Sequence, residues 1–192
     1  MYYKHNTSLF TLFACYLHDK MCLLWHVLLS FTQFAQFSAM TLDRFDKLIL
    51  EALQRDGRIS NKQLAGLVNL SESACLRRVR ALEEDGMIER YVAMLSQSEA
   101  GMPGNVLVHI GLHREEQSEL AAFEEAVRDI PEVMECYLMT GEFDYLLRVV
   151  VADMADFERI HKEELTRLPG VARVNSSFAI RTVLKKTQLP LR

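Results

Sequence analysis

Apolar side chains recur at helical spacing in three consecutive segments between residues 42 and 84. The first segment places apolar residues on one helical face at Phe45, Leu48, Ile49, Ala52 and Leu53. An Asp-Gly pair at residues 56–57 follows directly and predicts the end of that helix. The other two segments are separated only by a short turn, and together they predict a helix-turn-helix at about residues 61–80.

Each of the two later helices is predicted to begin at a serine. Ser60, with Gln63 three positions on, fits a capping box, and Ser71 is a second N-cap. The predicted buried positions are Leu64, Ala65 and Val68 on the first helix and Cys75, Val79 and Leu82 on the second. A second Asp-Gly stop precedes residues 88–95, which are strand-like in composition. Three helices closing on a strand predict a winged helix-turn-helix domain over residues 40–95.

The second helix of the pair carries three arginines. Ser73, Arg77 and Arg80 fall at i, i+4 and i+7 on one polar, cationic face, which suits the major groove of DNA. A basic helix face is more often simply solvated, because basic clusters are weak motifs. The two preceding helices favour DNA, with Arg78 and Lys62 expected on the phosphate backbone. The predicted DNA-binding residues are Lys62, Ser71, Ser73, Arg77, Arg78 and Arg80.

Strand-like alternation replaces helical spacing after a hinge at residues 96–104. Two predicted helices end at proline turns, at Pro131 and Pro169, and a predicted strand follows each of them. The order of elements predicts a ferredoxin-like βαββαβ domain over residues 105–192. Such an antiparallel sheet has helices on one face only, which leaves the other face to a second subunit. We therefore expect a homodimer that assembles into higher even oligomers. Its two-fold symmetry predicts an inverted-repeat site on double-stranded DNA.

Charge is distributed unevenly between the two predicted domains. Residues 41–98 carry nine basic and nine acidic side chains, whereas residues 99–181 carry eight basic and sixteen acidic ones. The DNA-facing domain is thus neutral, and its non-specific affinity for DNA should be modest. The four cysteines and six histidines show no metal-ligand spacing. We predict a cytoplasmic α+β protein without metal or cofactor.

Residues 1–39 differ in composition from the rest of the chain. They are rich in Phe and Leu and almost free of charge beyond Lys4, Asp19 and Lys20. Neither apolar run is a clean span of the ~20 residues that a membrane helix needs. Phe37-Ser38-Ala39 is a poor signal-peptide cleavage site, because its first residue is large. We interpret the segment as lying upstream of a natural start at Met40 and expect no membrane partner; a membrane anchor and a docked helix are the alternatives.

Four phrases then carry a family resemblance: LDRFDKLILEALQRDGRISNKQLAGLVNLS at 42–71, CLRRVRALEEDGMIERY at 75–91, TGEFDYLLRV at 140–149 and LPGVARVNSSFAI at 168–180. From Leu42 to about Leu191 the chain resembles the Lrp/AsnC (leucine-responsive/asparagine-responsive, feast/famine) transcription regulators. The resemblance implies a DNA-binding regulator that responds to a small amino acid. The family usually has a proline soon after the serine that opens the recognition helix, where this chain has Glu72, Ser73 and Ala74. This departure leaves the base preference open, and residues 1–39 have no counterpart in the family.

The resemblance places an amino-acid effector at the TGEFD loop. Gly141 permits a tight backbone through which amides can approach a small ligand. Thr140 and Asp144 offer a hydroxyl and a carboxylate to the charged ends of an amino acid, and Met139 an apolar wall. A tight β-hairpin in which Asp144 satisfies backbone amides is the alternative. The predicted effector-binding residues are Tyr137, Met139, Thr140, Gly141, Glu142 and Asp144.

Other functions remain open on this architecture. Siroheme decarboxylases share it, and such an enzyme would draw on His109, His113 or His161 in the second domain. The intact arginine-bearing helix argues against an enzyme, so none is predicted. The same arginines disfavour a ligand-sensing oligomer without affinity for DNA. A DNA-binding regulator that needs no effector is the remaining alternative.

Overall fold

The computed structural model describes residues 42–114 and 116–191, so the predictions for residues 1–39 lie outside the described residues. The described chain divides into two compact units. Three helices build the first unit: α1 (Arg44–Arg55), α2 (Asn61–Val68) and α3 (Glu72–Glu84). No helix of the described ranges is long and apolar enough to cross a membrane.

Helix α1 begins at two aspartates that cap each other. Oδ1 of Asp43 accepts hydrogen bonds from the amides of Phe45 (2.7 Å) and Asp46 (2.9 Å). Oδ2 of Asp46 in turn accepts from the Asp43 amide at 3.2 Å. These bonds satisfy backbone donors that the first turn of a helix leaves unpaired. The predicted apolar face is confirmed at Ile49, which is buried, and it is wrong at Leu48, which is 37% exposed while its neighbour Leu50 is buried.

The two predicted serine caps are both confirmed. Ser60 and Gln63 form the complete capping box at the start of α2. The Ser71 hydroxyl accepts a 3.3 Å hydrogen bond from the Ala74 amide in the first turn of α3. Between the helices, Asn69 adopts the left-handed conformation (φ 55°) and closes α2 through its amide. The side chain of Asn61 donates to the backbone carbonyl of Glu72 at 2.9 Å, which ties the starts of α2 and α3 together.

The predicted buried faces of α2 and α3 are confirmed except at Val79, which is only half-buried. Leu64, Ala65 and Val68 are all buried, as are Cys75 and Leu82 on α3. The strand predicted for residues 88–95 is not formed, although the structure describes the whole segment. A strand needs a hydrogen-bonded neighbour, and none pairs with these residues within the described chain. Apart from the half-buried Ile88, their large apolar side chains are exposed as a result, Leu95 by 76%.

The second unit is the predicted βαββαβ arrangement. Its elements are β1 (Gly104–Leu112), α4 (Gln117–Arg128), β2 (Val133–Leu138), β3 (Tyr145–Val151), α5 (Met154–Glu163), a 3₁₀ turn (Leu165–Arg167) and β4 (Val171–Phe178). The four strands form one antiparallel sheet in the order β2-β3-β1-β4. The last strand ends at Phe178, and residues 179–184 are exposed.

Helices α4 and α5 cover one face of this sheet. Phe123 of α4 stacks on Tyr145 of β3 with ring centroids 4.3 Å apart, and both are buried. Alternation turns the other side chains of the strands to the opposite face, which we call the open face. Its residues include Asn105, Leu107 and His109 of β1, Leu146 and Arg148 of β3, Glu135 and Tyr137 of β2, and Arg173 and Asn175 of β4.

Removal of the central aromatic ring should destabilise the second unit strongly. Phe123→Ala is expected to lower the free energy of unfolding by about 3–5 kcal/mol, because it deletes a buried ring and leaves a cavity. Glu125→Ala on the exposed side of the same helix should stay within about 0.5 kcal/mol of the parent. Urea unfolding at fixed protein concentration measures both. A cost for Phe123→Ala no larger than that for Glu125→Ala would contradict this core.

Candidate DNA interface and effector loop

Helix α3 presents two of its three arginines to solvent. Arg77 and Arg80 are exposed, as is Ser73 one turn earlier. Neither of these two arginines forms an ion pair with any residue in the described ranges. Ser71 and Ser73 lie at the start of the helix with their hydroxyl oxygens 3.3 Å apart. The exposed face therefore combines two uncompensated positive charges with small hydrogen-bonding groups at a helix N-terminus, which suits phosphates and base edges.

The third arginine of α3 turns toward α1. Nη1 of Arg78 lies 2.7 Å from Oδ2 of Asp43 and 2.7 Å from Oδ1 of Asp46. Its guanidinium carbon also lies 5.5 Å from the centre of the Phe45 ring. These hydrogen bonds, the one to Asp46 first, raise the pKa of the Arg78 guanidinium. The predicted contact of Arg78 with the DNA backbone is not tested by this geometry, but its charge is already compensated within the protein.

Lys62 and Glu72 are exposed, whereas Cys75 is buried. Lys62 is exposed on α2, and Glu72 adds an exposed carboxylate to the first turn of α3. Cys75 lies on the opposite, buried side of the helix, and burial raises the pKa of its thiol. A raised thiol pKa disfavours the reactive thiolate, so Cys75 is a small core residue.

Asp144 joins the TGEFD loop to the end of β1. Its backbone carbonyl accepts from the Met139 amide at 2.8 Å, and its own amide donates to the Ile110 carbonyl at 2.9 Å. Its Oδ2 accepts from the Leu112 amide at 2.7 Å. The hairpin alternative thus accounts for one oxygen of this carboxylate. Gly141 has φ +137°, where a side chain would be strained, and no neighbouring atom lies within 4 Å of a Cβ added there.

An aromatic residue within the loop folds back onto the open face. The Phe143 ring lies 5.0 Å from that of His109, measured between centroids, and the Arg173 guanidinium lies 4.6 Å from the centre of the Phe143 ring. Arg173 also donates to the Glu142 carbonyl at 3.3 Å. Sequence reasoning missed Phe143 and Arg173. An aromatic side chain between two acidic residues of a turn was the one available signal, since Arg173 lies on another strand.

The six predicted effector residues occupy one exposed region but do not enclose a cavity. Tyr137 is 52% exposed and Met139 40%, and Thr140, Gly141 and Glu142 are exposed as well. A cavity of about 430 Å³ lies instead on the helix side of the sheet, between α5 and β4. A pocket at the loop would therefore need a further wall, which a neighbouring subunit would have to supply.

The three histidines of the second unit do not converge. His109 contacts Phe143 at the open face with the rings tilted by 41°, whereas His161 lies 5.8 Å from Phe157, between ring centroids, on the helix side. His113 is exposed beyond the end of β1. Within the described ranges, no three metal-binding side chains are grouped so that they could hold an ion.

Both units match known families. Winged helix-turn-helix DNA-binding domains match residues 42–89, and the Lrp/AsnC ligand binding domain matches residues 105–189. The chain belongs to the Lrp/AsnC family of transcription regulators. The predicted α+β fold class and family are thereby confirmed.

Two curated relatives and one solved structure illustrate the similarity. The Bkd operon transcriptional regulator of Pseudomonas aeruginosa is 44% identical over 150 residues, covering 78% of this chain and 98% of the relative. The leucine-responsive regulatory protein of Escherichia coli is 40% identical over 151 residues, covering 79% and 92% respectively. The structure of a transcriptional regulator from Neisseria meningitidis in complex with L-Met has 36% identity and a TM-score of 0.75, covering 78% and 97%.

Proposed function

We propose that this regulator binds an inverted-repeat operator through α3, and that a small amino acid controls its assembly and DNA binding. The observation that carries the proposal is that Arg77 and Arg80 are exposed and form no ion pair within the described ranges, on a capped helix of a helix-turn-helix unit. Ser71 and Ser73 would meet phosphates or base edges at the start of the helix, and Lys62 the backbone. Residues 41–98 are electrically neutral overall, so specific contacts rather than bulk charge would carry the affinity.

The open face supports assembly through a second copy of the chain. It exposes Leu107 (39%) and Tyr137 (52%) around a polar network at its centre. There the Arg148 guanidinium lies 2.8 Å from Glu135 and donates to Asn105 at 3.2 Å. An antiparallel sheet can leave one face to solvent, but a face with apolar and paired polar groups suits a two-fold interface. Such a dimer would present two copies of α3 to half-sites about 34 Å apart.

The loop at residues 139–144 offers the groups that bind an amino acid. A zwitterion needs a carboxylate for its ammonium group, donors for its carboxylate and an apolar wall for its side chain. Asp144 keeps one oxygen without a hydrogen-bond partner among the described residues. Thr140 and Gly141 are exposed in the same loop, and so is Met139. The L-Met bound by the Neisseria relative favours an apolar amino acid such as methionine or leucine.

Regulation rather than catalysis accounts for these features. The histidines that a decarboxylase of this architecture would draw on lie on opposite sides of the sheet. The relatives of known role are transcriptional regulators. A protein that binds bacterial operators would work in the cytoplasm, where that DNA lies.

Loss of the two exposed arginines should abolish specific DNA binding. Arg77→Ala is expected to cost about 1–3 kcal/mol of operator affinity if it reads a base, and Arg77→Ala/Arg80→Ala correspondingly more. Arg167→Ala removes an equally exposed arginine of the second unit and serves as the control. Gel-shift titration of a duplex selected from random DNA by the parent protein measures each affinity. Parent-like binding by the double variant would remove α3 from the interface.

A charge on the open face should weaken the dimer. Leu107→Glu would enter a two-fold interface twice, once from each copy, and an unpaired buried charge is costly. We expect monomers at concentrations where the parent is dimeric or larger. Met154→Glu, on the helix side and 64% exposed, should leave assembly unchanged. Sedimentation velocity over a concentration series distinguishes them, and equal assembly by both variants would place the interface elsewhere.

An amide in place of Asp144 should remove the response to amino acids but not the fold. Asp144→Asn retains an oxygen for the Leu112 amide, so the hairpin should survive, while the charge that would meet an ammonium group is lost. Asp144→Ala would in addition leave that amide unpaired, at a cost of about 1–3 kcal/mol. A thermal-shift screen of the twenty amino acids, followed by gel shifts, measures both effects. If Asp144→Asn responds like the parent, this carboxylate does not bind the effector.

A further inference from the structure

Two arginines that adjoin in the sequence have opposite environments on α3. Arg77 is exposed, whereas the Arg78 side chain is only 26% exposed and its Nη1 lies 2.7 Å from each of two carboxylates. The Asp46 side chain is itself 14% exposed. Two carboxylates thus face one guanidinium, and the cluster as a whole is not cationic. Arg78 therefore has little charge to offer a phosphate.

Both carboxylates that bind Arg78 are also oriented by hydrogen bonds within the first turn of α1. Asp43 and Asp46 cap each other at the start of α1 through bonds of 2.7, 2.9 and 3.2 Å. The Asp46 amide, as the strongest influence, lowers the pKa of Asp43, so its charge is present at neutral pH. The Arg78 guanidinium carbon also lies over the Phe45 ring, 5.5 Å from the ring centre. A planar guanidinium held by two oriented acceptors and a ring is confined in rotation as well as in position.

We propose that Arg78 is a positioning residue for DNA recognition. Its ion pairs with Asp43 and Asp46, in the capped first turn of α1, set the rotation of α3 about its axis. Successive residues of a helix are ~100° apart, since a turn takes ~3.6 residues. Fixing Arg78 against α1 therefore fixes the direction in which Arg77 and Arg80 leave the helix. Rotation of α3 would misplace both arginines against the groove. This inference rests on the proposed role of α3 in binding DNA.

Substitution of the two carboxylates separates positioning from a direct phosphate contact. In Asp43→Asn/Asp46→Asn the amide oxygens still cap α1, because asparagine is as good an N-cap as aspartate. The guanidinium, however, loses its charged partners. A positioning role predicts that affinity for the selected operator, relative to a shuffled duplex of equal composition, falls by about 10-fold, the scale of one charge-assisted hydrogen bond. A phosphate contact predicts the reverse: a freed Arg78 and two fewer negative charges would tighten operator binding and leave that ratio intact.

The substitution Arg78→Gln provides a second test of positioning against a direct phosphate contact. The operator-to-shuffled ratio should fall by a similar factor, while the salt dependence of binding stays parallel to that of the parent. A phosphate contact would instead weaken both duplexes equally and reduce the salt slope by about 0.9 per subunit. The ratio comes from one preparation of each variant, so a partly unfolded fraction does not alter it. Arg128→Gln, which removes an exposed arginine paired with Glu125, is the matched control.

The Arg77→Ala/Arg80→Ala variant separates the two levels of the hypothesis. If that variant binds operator like the parent, the proposed role of α3 fails. If it loses binding while Arg78→Gln and Asp43→Asn/Asp46→Asn keep the parent ratio, DNA recognition by α3 stands and positioning by Arg78 is overturned. We expect the ratio of operator affinity to shuffled-duplex affinity to fall in all three variants, and the salt slope of Arg78→Gln to stay unchanged.

Discussion

The one-sided cover of the four-stranded sheet is the constraint on which the second unit depends. Helices α4 and α5 bury the face that carries Tyr145, and no helix or strand of this unit covers the other within the described residues. Phe143 folds onto that open face, where its ring lies 5.0 Å from that of His109. The proposed effector loop and the proposed subunit interface are thus parts of one surface. A ligand that shifts the loop would change the shape offered to a partner, which is how binding at one site biases assembly.

Burial and pairing divide the arginines of α3 into two functional groups. A helix exposes successive side chains in different directions, so neighbours in sequence can meet carboxylates and solvent respectively. Arg78 meets Asp43 and Asp46, while Arg77 and Arg80 remain unpaired among the described residues. In the proposed interface, only two of the three positive charges of α3 would then be available to DNA from each subunit. The proposed two-fold assembly would double the contacts on one operator and so offset a weak electrostatic attraction per subunit.

Local features were predictable from sequence because their partners lie within one helical turn. Spacing alone predicts the Ser60 and Ser71 caps, the apolar faces of α2 and α3, and the succession of helices and strands along the chain. Arg78 could not be placed in this way, since its partner Asp46 is 32 positions away. Arg173 was missed for a similar reason, as it reaches Glu142 across 31 positions. Residues 88–95 have strand composition, but a strand also requires a neighbour, and composition does not supply one.

The two interpretations of Asp144 are compatible, because a carboxylate has two oxygens. One accepts from the Leu112 amide at 2.7 Å and anchors the hairpin. The same bond holds the other oxygen in a fixed direction, so little side-chain entropy would be lost when it met an ammonium group. A hydrogen bond that serves the turn thereby pre-organises the proposed binding group. Structural and ligand-binding roles of this residue would reinforce each other, and a substitution that removes both cannot tell them apart. Asp144→Asn separates the two roles, because asparagine retains the oxygen that accepts from the Leu112 amide but lacks the negative charge.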